Sequence, residues 1–205
     1  VGVDTWGVDA ALLDKNGQLL SFPFHYRDSR NDGMMEEAFK RLPKKRIYEI
    51  TGIQFMQINT LCQLLSLSIS DSPILKAADK VVMVPDLINY WLTGRVTAEF
   101  TDATTSQIID ARNGCWSQEI IQAMGFPAHI FPEIVMPGTV LGPLRASVAR
   151  ELGCEITVVA PPTHDTGSAV ASQRASKDAF IWISSGTWSI VGLNTDKPVI
   201  NAQSL

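Results

Sequence analysis

Long apolar runs are missing from this sequence. No stretch approaches the ~18 consecutive apolar residues of a membrane-spanning helix, and no basic segment followed by an apolar one marks a secretory signal. Cysteine is scarce: Cys62, Cys115 and Cys154 are odd in number and far apart, which argues against a disulfide framework and against a closed zinc site. Histidine occurs only as His25, His129 and His164, none at metal-ligand spacing, so no metal-binding residue is expected. Basic runs are lacking too. The net charge is −4, and nothing forms the positive patch that nucleic acid requires. There is no Gly-x-Ser-x-Gly elbow, which disfavours a Ser-His-Asp hydrolase, and neither a Walker A loop nor a Rossmann fingerprint. What is present is a globular composition, 45% hydrophobic and 19% charged over 205 residues, enough for one large domain or two small ones. A reducing, cytoplasmic setting without membrane or nucleic-acid partners is the expectation.

The hydrophobic pattern alternates between strands and helices. Val1 to Trp6 reads as a short strand and Val8 to Leu13 as a second. Asp14-Lys15-Asn16-Gly17 is a hairpin turn, in which Asn-Gly supplies positive φ. Gln18 to Tyr26 is then expected to return as a third strand of an antiparallel meander, broken by Pro23. Helical spacing predicts Met34 to Arg41, with Met35, Phe39 and Leu42 on one side. It predicts a short turn over Ile47 to Thr51, stopped by Gly52, and a helix over Asn59 to Ser70 that buries Leu61, Leu64, Leu65 and Ile69. Pro85 to Leu92 follows, with Pro near its start and Gly94 beyond its end. Ser117 to Met124 has Ser117 as N-cap and Gly125 as terminator, and Ser147 to Leu152 ends at Gly153. Strands are expected at Glu155 to Ala160, Phe180 to Ser184 and Trp188 to Asn194, with a helix from Thr166 to Gln173 between the first two. Ser172 to Asp178 is polar and marks a possible hinge. The layout implies a mixed α/β fold.

Three motifs can carry chemistry. His164-Asp165 follows an apolar strand, where catalytic groups of α/β folds gather. Asp165 can accept a proton from a substrate hydroxyl, or it can simply cap the following helix. Spacing alone leaves these level. Ser184-Ser185-Gly186-Thr187 is either an anion-binding nest with the Thr187 hydroxyl as donor or an ordinary hairpin turn. In Asp4-Thr5-Trp6-Gly7-Val8-Asp9, Trp6 can stack on a sugar face while Gly7 admits a close ligand, or Trp6 is a buried turn residue. Tyr26-Arg27-Asp28-Ser29-Arg30 adds two arginines, either for substrate contacts or for a solvated loop.

The ordered set is more specific than its members. Val3-Asp4-Thr5-Trp6-Gly7-Val8-Asp9, Tyr26 to Arg30, Thr51-Gly52-Ile53-Gln54-Phe55, Asn59-Thr60-Leu61, Pro85-Asp86, Leu92-Thr93-Gly94, Thr104-Thr105-Ser106-Gln107, Pro137-Gly138-Thr139, His164-Asp165-Thr166 and Ser184 to Thr187 resemble the FGGY carbohydrate kinases, in the same order and along nearly the whole chain. The resemblance implies a ribonuclease-H-like, actin-like ATPase fold of two domains. Residues 1–170 would be most of the N-terminal, sugar-binding domain and 171–205 the start of the C-terminal, ATP-binding one. It implies phosphoryl transfer from ATP, with Mg²⁺, to a deoxyketose, L-rhamnulose or alternatively L-fuculose or another ketose. It assigns Asp165 as catalytic base, Gly7, His164, Asp165 and Thr166 as sugar-binding, and Thr187 as ATP-contacting. Gly167 stands where the family often has alanine. The family's Asp-x-Gly-x-Ser-x-Arg phosphate loop has no counterpart in the chain, nor has the later adenosine pocket, so the fold is expected to be incomplete and the chain inactive by itself. A non-catalytic sugar-binding module is the competing expectation from another class. A hydrolase using His164 and Asp165 is disfavoured because no activated nucleophile accompanies them.

Overall fold

The fold is given by a computed structural model, which describes residues 1–173, 180–186 and 188–205. The first strand, β1 (Ala10–Leu13), buries Ala11, Leu12 and Leu13. The turn after it closes as its residues require. Asp14 Oδ1 accepts the N–H groups of Asn16 and Gln18, both at 2.8 Å, and Gly17 adopts φ +74°. The expected meander does not continue. Leu19 makes one bridge to Leu13, the rest of 18–26 forms no strand, and Phe22 and Phe24 are exposed. Pro23 has no N–H to donate to a ladder. The neighbour of β1 is instead β2 (Lys80–Met83), antiparallel, with Ala10 opposite Met83 and Leu13 opposite Lys80. Val81, Val82 and Met83 are buried, so this pairing covers apolar surface that the 18–26 segment would leave wet.

Helices follow the hydrophobic periodicity closely. α1 (Met34–Arg41) and α2 (Lys44–Thr51) precede α3 (Thr60–Ile69) in the sequence, and α4 (Pro73–Ala77) leads into β2. In α3 the run Thr60 to Ser66 is buried throughout, whereas Ile69, expected inside, is 44% exposed. The first turns of α3 enter the core and its end reaches solvent. α5 (Val84–Thr93) stops at Gly94, left-handed at φ +85°. Leu12, Ile47, Leu61, Leu65, Ile120, Ile121 and Met124 meet in the largest apolar cluster.

The second half is built from short strands. β3 (Ala98–Glu99) runs straight into α6 (Phe100–Thr105), and β4 (Ile109–Asp110) pairs with β5 (Cys115–Trp116). α7 (Gln118–Met124) begins at Ser117, whose Oγ accepts the Ile120 N–H. β6 (Ile134–Val135) lies parallel to β3. β7 (Val140–Pro143) is antiparallel to β8 (Thr157–Val159), with α8 (Ala146–Leu152) between them in sequence. α9 (Asp165–Ala171) precedes the hairpin β9 (Ile181–Ser185) and β10 (Ser189–Leu193). Residues 1–5 run alongside β8 and the segment after it. Val159 N–H donates to Val1 O, Thr5 N–H to Thr163 O and Asp165 N–H to Thr5 O, at 2.8–2.9 Å, and Thr5 bridges His164 in parallel. The expected first strand is thus an extended, paired segment without a named ladder. No helix among the described residues is long and apolar enough to cross a membrane.

Candidate active site

The bridge between Thr5 and His164 brings two sequence motifs side by side: the Trp6-Gly7 turn and the His164-Asp165-Thr166 run. On the first, the Trp6 indole is about half exposed, and its N–H donates to Asp9 Oδ2 at 2.9 Å. A tethered, accessible ring suits a stacking platform and is not the buried turn residue that was the alternative. Gly7 is buried. A Cβ there would meet Thr105 Cγ2 at 2.8 Å and Asp102 Oδ1 at 3.1 Å, so glycine is required by the contact with α6. Val8 carries φ +69°, an outlying conformation for a β-branched residue. Three hydrogen bonds hold it there: its N–H donates to Thr105 Oγ1 at 2.9 Å, and its carbonyl accepts from Thr60 Oγ1 at 2.7 Å and Gln63 Nε2 at 3.0 Å. Strain of this kind persists only where the surroundings impose it. Asp9 is buried, and its carboxyl is raised by loss of water, against the opposing hydrogen bonds from Trp6 and Gln63.

On the second motif, Asp165 is the first residue of α9, and the N-cap position belongs to His164. Asp165 therefore does not occupy the cap. Its Oδ1 accepts the adjacent Thr166 N–H at 2.6 Å, and the carboxylate is 58% exposed. His164 is mostly buried and its Nε2 lies 3.4 Å from Asp165 Oδ1. Burial lowers the imidazole pKa despite the neighbouring carboxylate. Burial thus works against the charged imidazole that an ion pair with Asp165 would need.

Residues that the motifs did not single out hold these two segments together. Glu99, 0% exposed, directs Oε2 at the α6 N-terminus and at the strand end: Thr101 N at 3.0 Å, Thr101 Oγ1 at 2.5 Å, Thr163 N at 2.9 Å and Thr163 Oγ1 at 2.9 Å, with Asp102 N at 3.4 Å. Thr101 Oγ1 in turn receives the His164 N–H at 3.3 Å. At the far end of α6, Thr105 touches Gly7 and Val8. Asp86 and Asp102 lie beside Glu99, both buried. Burial pushes the Asp86 carboxyl up to about 8, and Asp102 is raised well above the carboxylate range by burial and by Asp86 and Glu99. Asp86 belongs to the Pro85-Asp86 motif, whereas Glu99 and Asp102 stood in none of the motifs. Their pairing with residues up to 64 positions away is invisible to spacing.

Of the remaining candidates, Arg30 reaches the residues behind the Trp6-Gly7 turn: its Nη2 donates to Gln63 Oε1 at 3.5 Å and its guanidinium lies near Asp9. Arg27 sits over the Tyr26 ring at 5.4 Å, while Arg30 turns inward, 3.8 Å above the Phe24 ring. Ser184 and Ser185 end β9, and Gly186 N–H donates to Trp188 O at 2.9 Å, a hairpin connection. Thr187 lies outside the described residues, as does most of the proposed hinge.

The architecture is a mixed α/β domain in which the Trp6-Gly7 turn and the His164-Asp165 run lie side by side. The N-terminal domain of the FGGY family of carbohydrate kinases matches residues 1–171, and the chain belongs to that family. Curated relatives point to one branch of it: a rhamnulokinase of Oceanobacillus iheyensis is 42% identical over the whole chain, which spans 43% of that protein, and a rhamnulokinase of Bacteroides thetaiotaomicron is 42% identical, with 42% of its length spanned. The chain thus spans less than half the length of the curated relatives it matches. A carbohydrate kinase from Novosphingobium aromaticivorans superposes with a TM-score of 0.80 at 23% identity, covering 98% of this chain and 44% of that one. A gluconate kinase from Lactobacillus acidophilus gives 0.70 at 20% identity, covering 76% and 32%. At such identities the likeness establishes the fold alone, which is the mixed α/β, actin-like ATPase fold of these kinases.

Proposed function

We propose that the protein transfers the γ-phosphoryl group of ATP to the 1-hydroxyl of L-rhamnulose, with Asp165 as base. The observation that carries this reading is the parallel bridge that sets an exposed Asp165 next to the Trp6-Gly7 turn. Phosphoryl transfer asks a protein chiefly for positioning and charge stabilisation. In this reading Asp165 accepts the hydroxyl proton while the sugar oxygen bonds to phosphorus, and the bond to the bridging oxygen breaks, its electron pair leaving with ADP. Trp6 stacks on the sugar, and Gly7, His164 and Thr166 line it. Thr187 is assigned to the nucleotide. Magnesium enters as MgATP. Among the described residues no group of three or more His, Cys, Asp or Glu is arranged to hold a metal ion, and none is assigned as a ligand.

Residues 1–170 are proposed as most of the N-terminal, sugar-binding domain, lacking its first strands, supported by the family match ending at residue 171, and 171–205 as the start of the ATP-binding one. The name shared by the curated relatives favours L-rhamnulose over L-fuculose. Coupled ADP-release assays of the full-length protein on a ketose panel decide between them: the highest kcat/KM is expected with L-rhamnulose, and a higher value for L-fuculose would move the assignment. The 205-residue chain alone is expected to show no turnover, because it holds no phosphate loop. Normal turnover from it would refute that part.

A further inference from the structure

Glu99 is buried at the meeting point of β3, α6 and the segment that delivers His164 and Asp165. One of its oxygens, Oε2, serves both structures. Toward α6 it receives Thr101 N–H and Oγ1–H and the Asp102 N–H. Toward the site it receives Thr163 N–H and Oγ1–H, both at 2.9 Å. Capping a helix end requires the first set only. The second set fastens residue 163, two positions before Asp165, by both its backbone and its side chain. Thr101 extends the hold by accepting the His164 N–H. Thr5, whose N–H and carbonyl bracket this run, fixes its opposite side. Among the described residues the exposed Asp165 carboxylate has its hydrogen-bond and close charge contacts with its sequence neighbours Thr166 and His164, so its direction is set by the backbone that Glu99 pins.

We propose that Glu99 is a positioning residue for the Asp165 base, acting through Thr163 rather than by touching substrate. The proposal rests on the kinase reading above. A shift of the base by about 1 Å is enough to lower turnover by on the order of 10²-fold. Glu99→Gln keeps the side-chain shape but replaces the carboxylate acceptor by a weaker amide one. Thr163→Val removes only the hydroxyl bond, and Thr163→Ser restores it.

The test uses the full-length protein, with steady-state kinetics in both substrates and near-ultraviolet circular dichroism to establish folding. Glu99→Gln is expected to lower kcat by roughly 10- to 100-fold with the KM for ATP unchanged. Thr163→Val is expected to lower kcat less, and Thr163→Ser to recover the wild-type value. A folded Glu99→Gln variant with wild-type kcat overturns the proposal. Should Glu99→Gln fail to fold, the Thr163 pair decides, and wild-type kcat in Thr163→Val overturns it. Asp165→Asn is measured alongside: if it too retains wild-type turnover, the base assignment itself has failed, whereas its loss beside an unaffected Thr163→Val removes Glu99 alone.

Discussion

Asp86 shows what burial does to one carboxyl and what that does to stability. Loss of water pushes it up to about 8 from an ordinary 3.8, against the hydrogen bond it receives from the Glu99 N–H. In the native protein it therefore keeps a proton that the unfolded chain releases above its ordinary range. Through this group the native state binds more protons between those two values, so its contribution to stability falls as pH rises toward 8. Asp102 acts in the same sense, raised by burial and by its acidic neighbours Asp86 and Glu99. Asp86→Asn removes the titration while its Oδ1 can still accept the Glu99 N–H, now at 3.1 Å. The thermal midpoint of the wild type is expected to drop between pH 5 and pH 8 and that of Asp86→Asn to drop less. Equal drops in the two proteins would mean that Asp86 is ionised in the folded state.

At the scale of elements, α9 carries both the proposed base and an avoidable weakness. Gly167 lies inside this helix with no positive φ, and a Cβ there would meet Pro162 and Thr101 at an ordinary 3.5 Å. Gly167→Ala is therefore expected to raise stability by about 0.4–1 kcal/mol, mostly by restricting the unfolded chain, with kcat unchanged. A lower midpoint in a denaturant titration would show that the α9 contact with Thr101 is tighter than these distances. Helices such as α1, α5 and α7 were legible in the sequence because their signals are local: a 3.6-residue period, a serine cap at Ser117, glycines at Gly94 and Gly125. The strands were less so. β2 is four residues long and opens directly into α5, and its pairing with β1 joins residues about 70 apart, which no periodicity encodes. The same holds in the site. Gly7 and Asp165 could be picked out from motif order, while Glu99, which joins their neighbourhoods, is identified only by hydrogen bonds across 64 residues.

For the whole molecule, two motifs near opposite ends of the family-matched residues 1–171 are brought together by one backbone pairing, Thr5 with His164, and locked from beneath by α6. The chain spans less than half of the rhamnulokinases it resembles, so the catalytic question belongs to the full-length protein. It reduces to whether the carboxylate of Asp165, rather than its backbone, is needed once the site is assembled. Initial-rate ADP release with L-rhamnulose and MgATP, compared between wild type and Asp165→Asn in the full-length protein, measures this directly. Sugar-dependent turnover is expected in the wild type and a fall in kcat of at least ~10²-fold in the variant, the scale of a lost acid–base group. Near wild-type turnover by Asp165→Asn would contradict it.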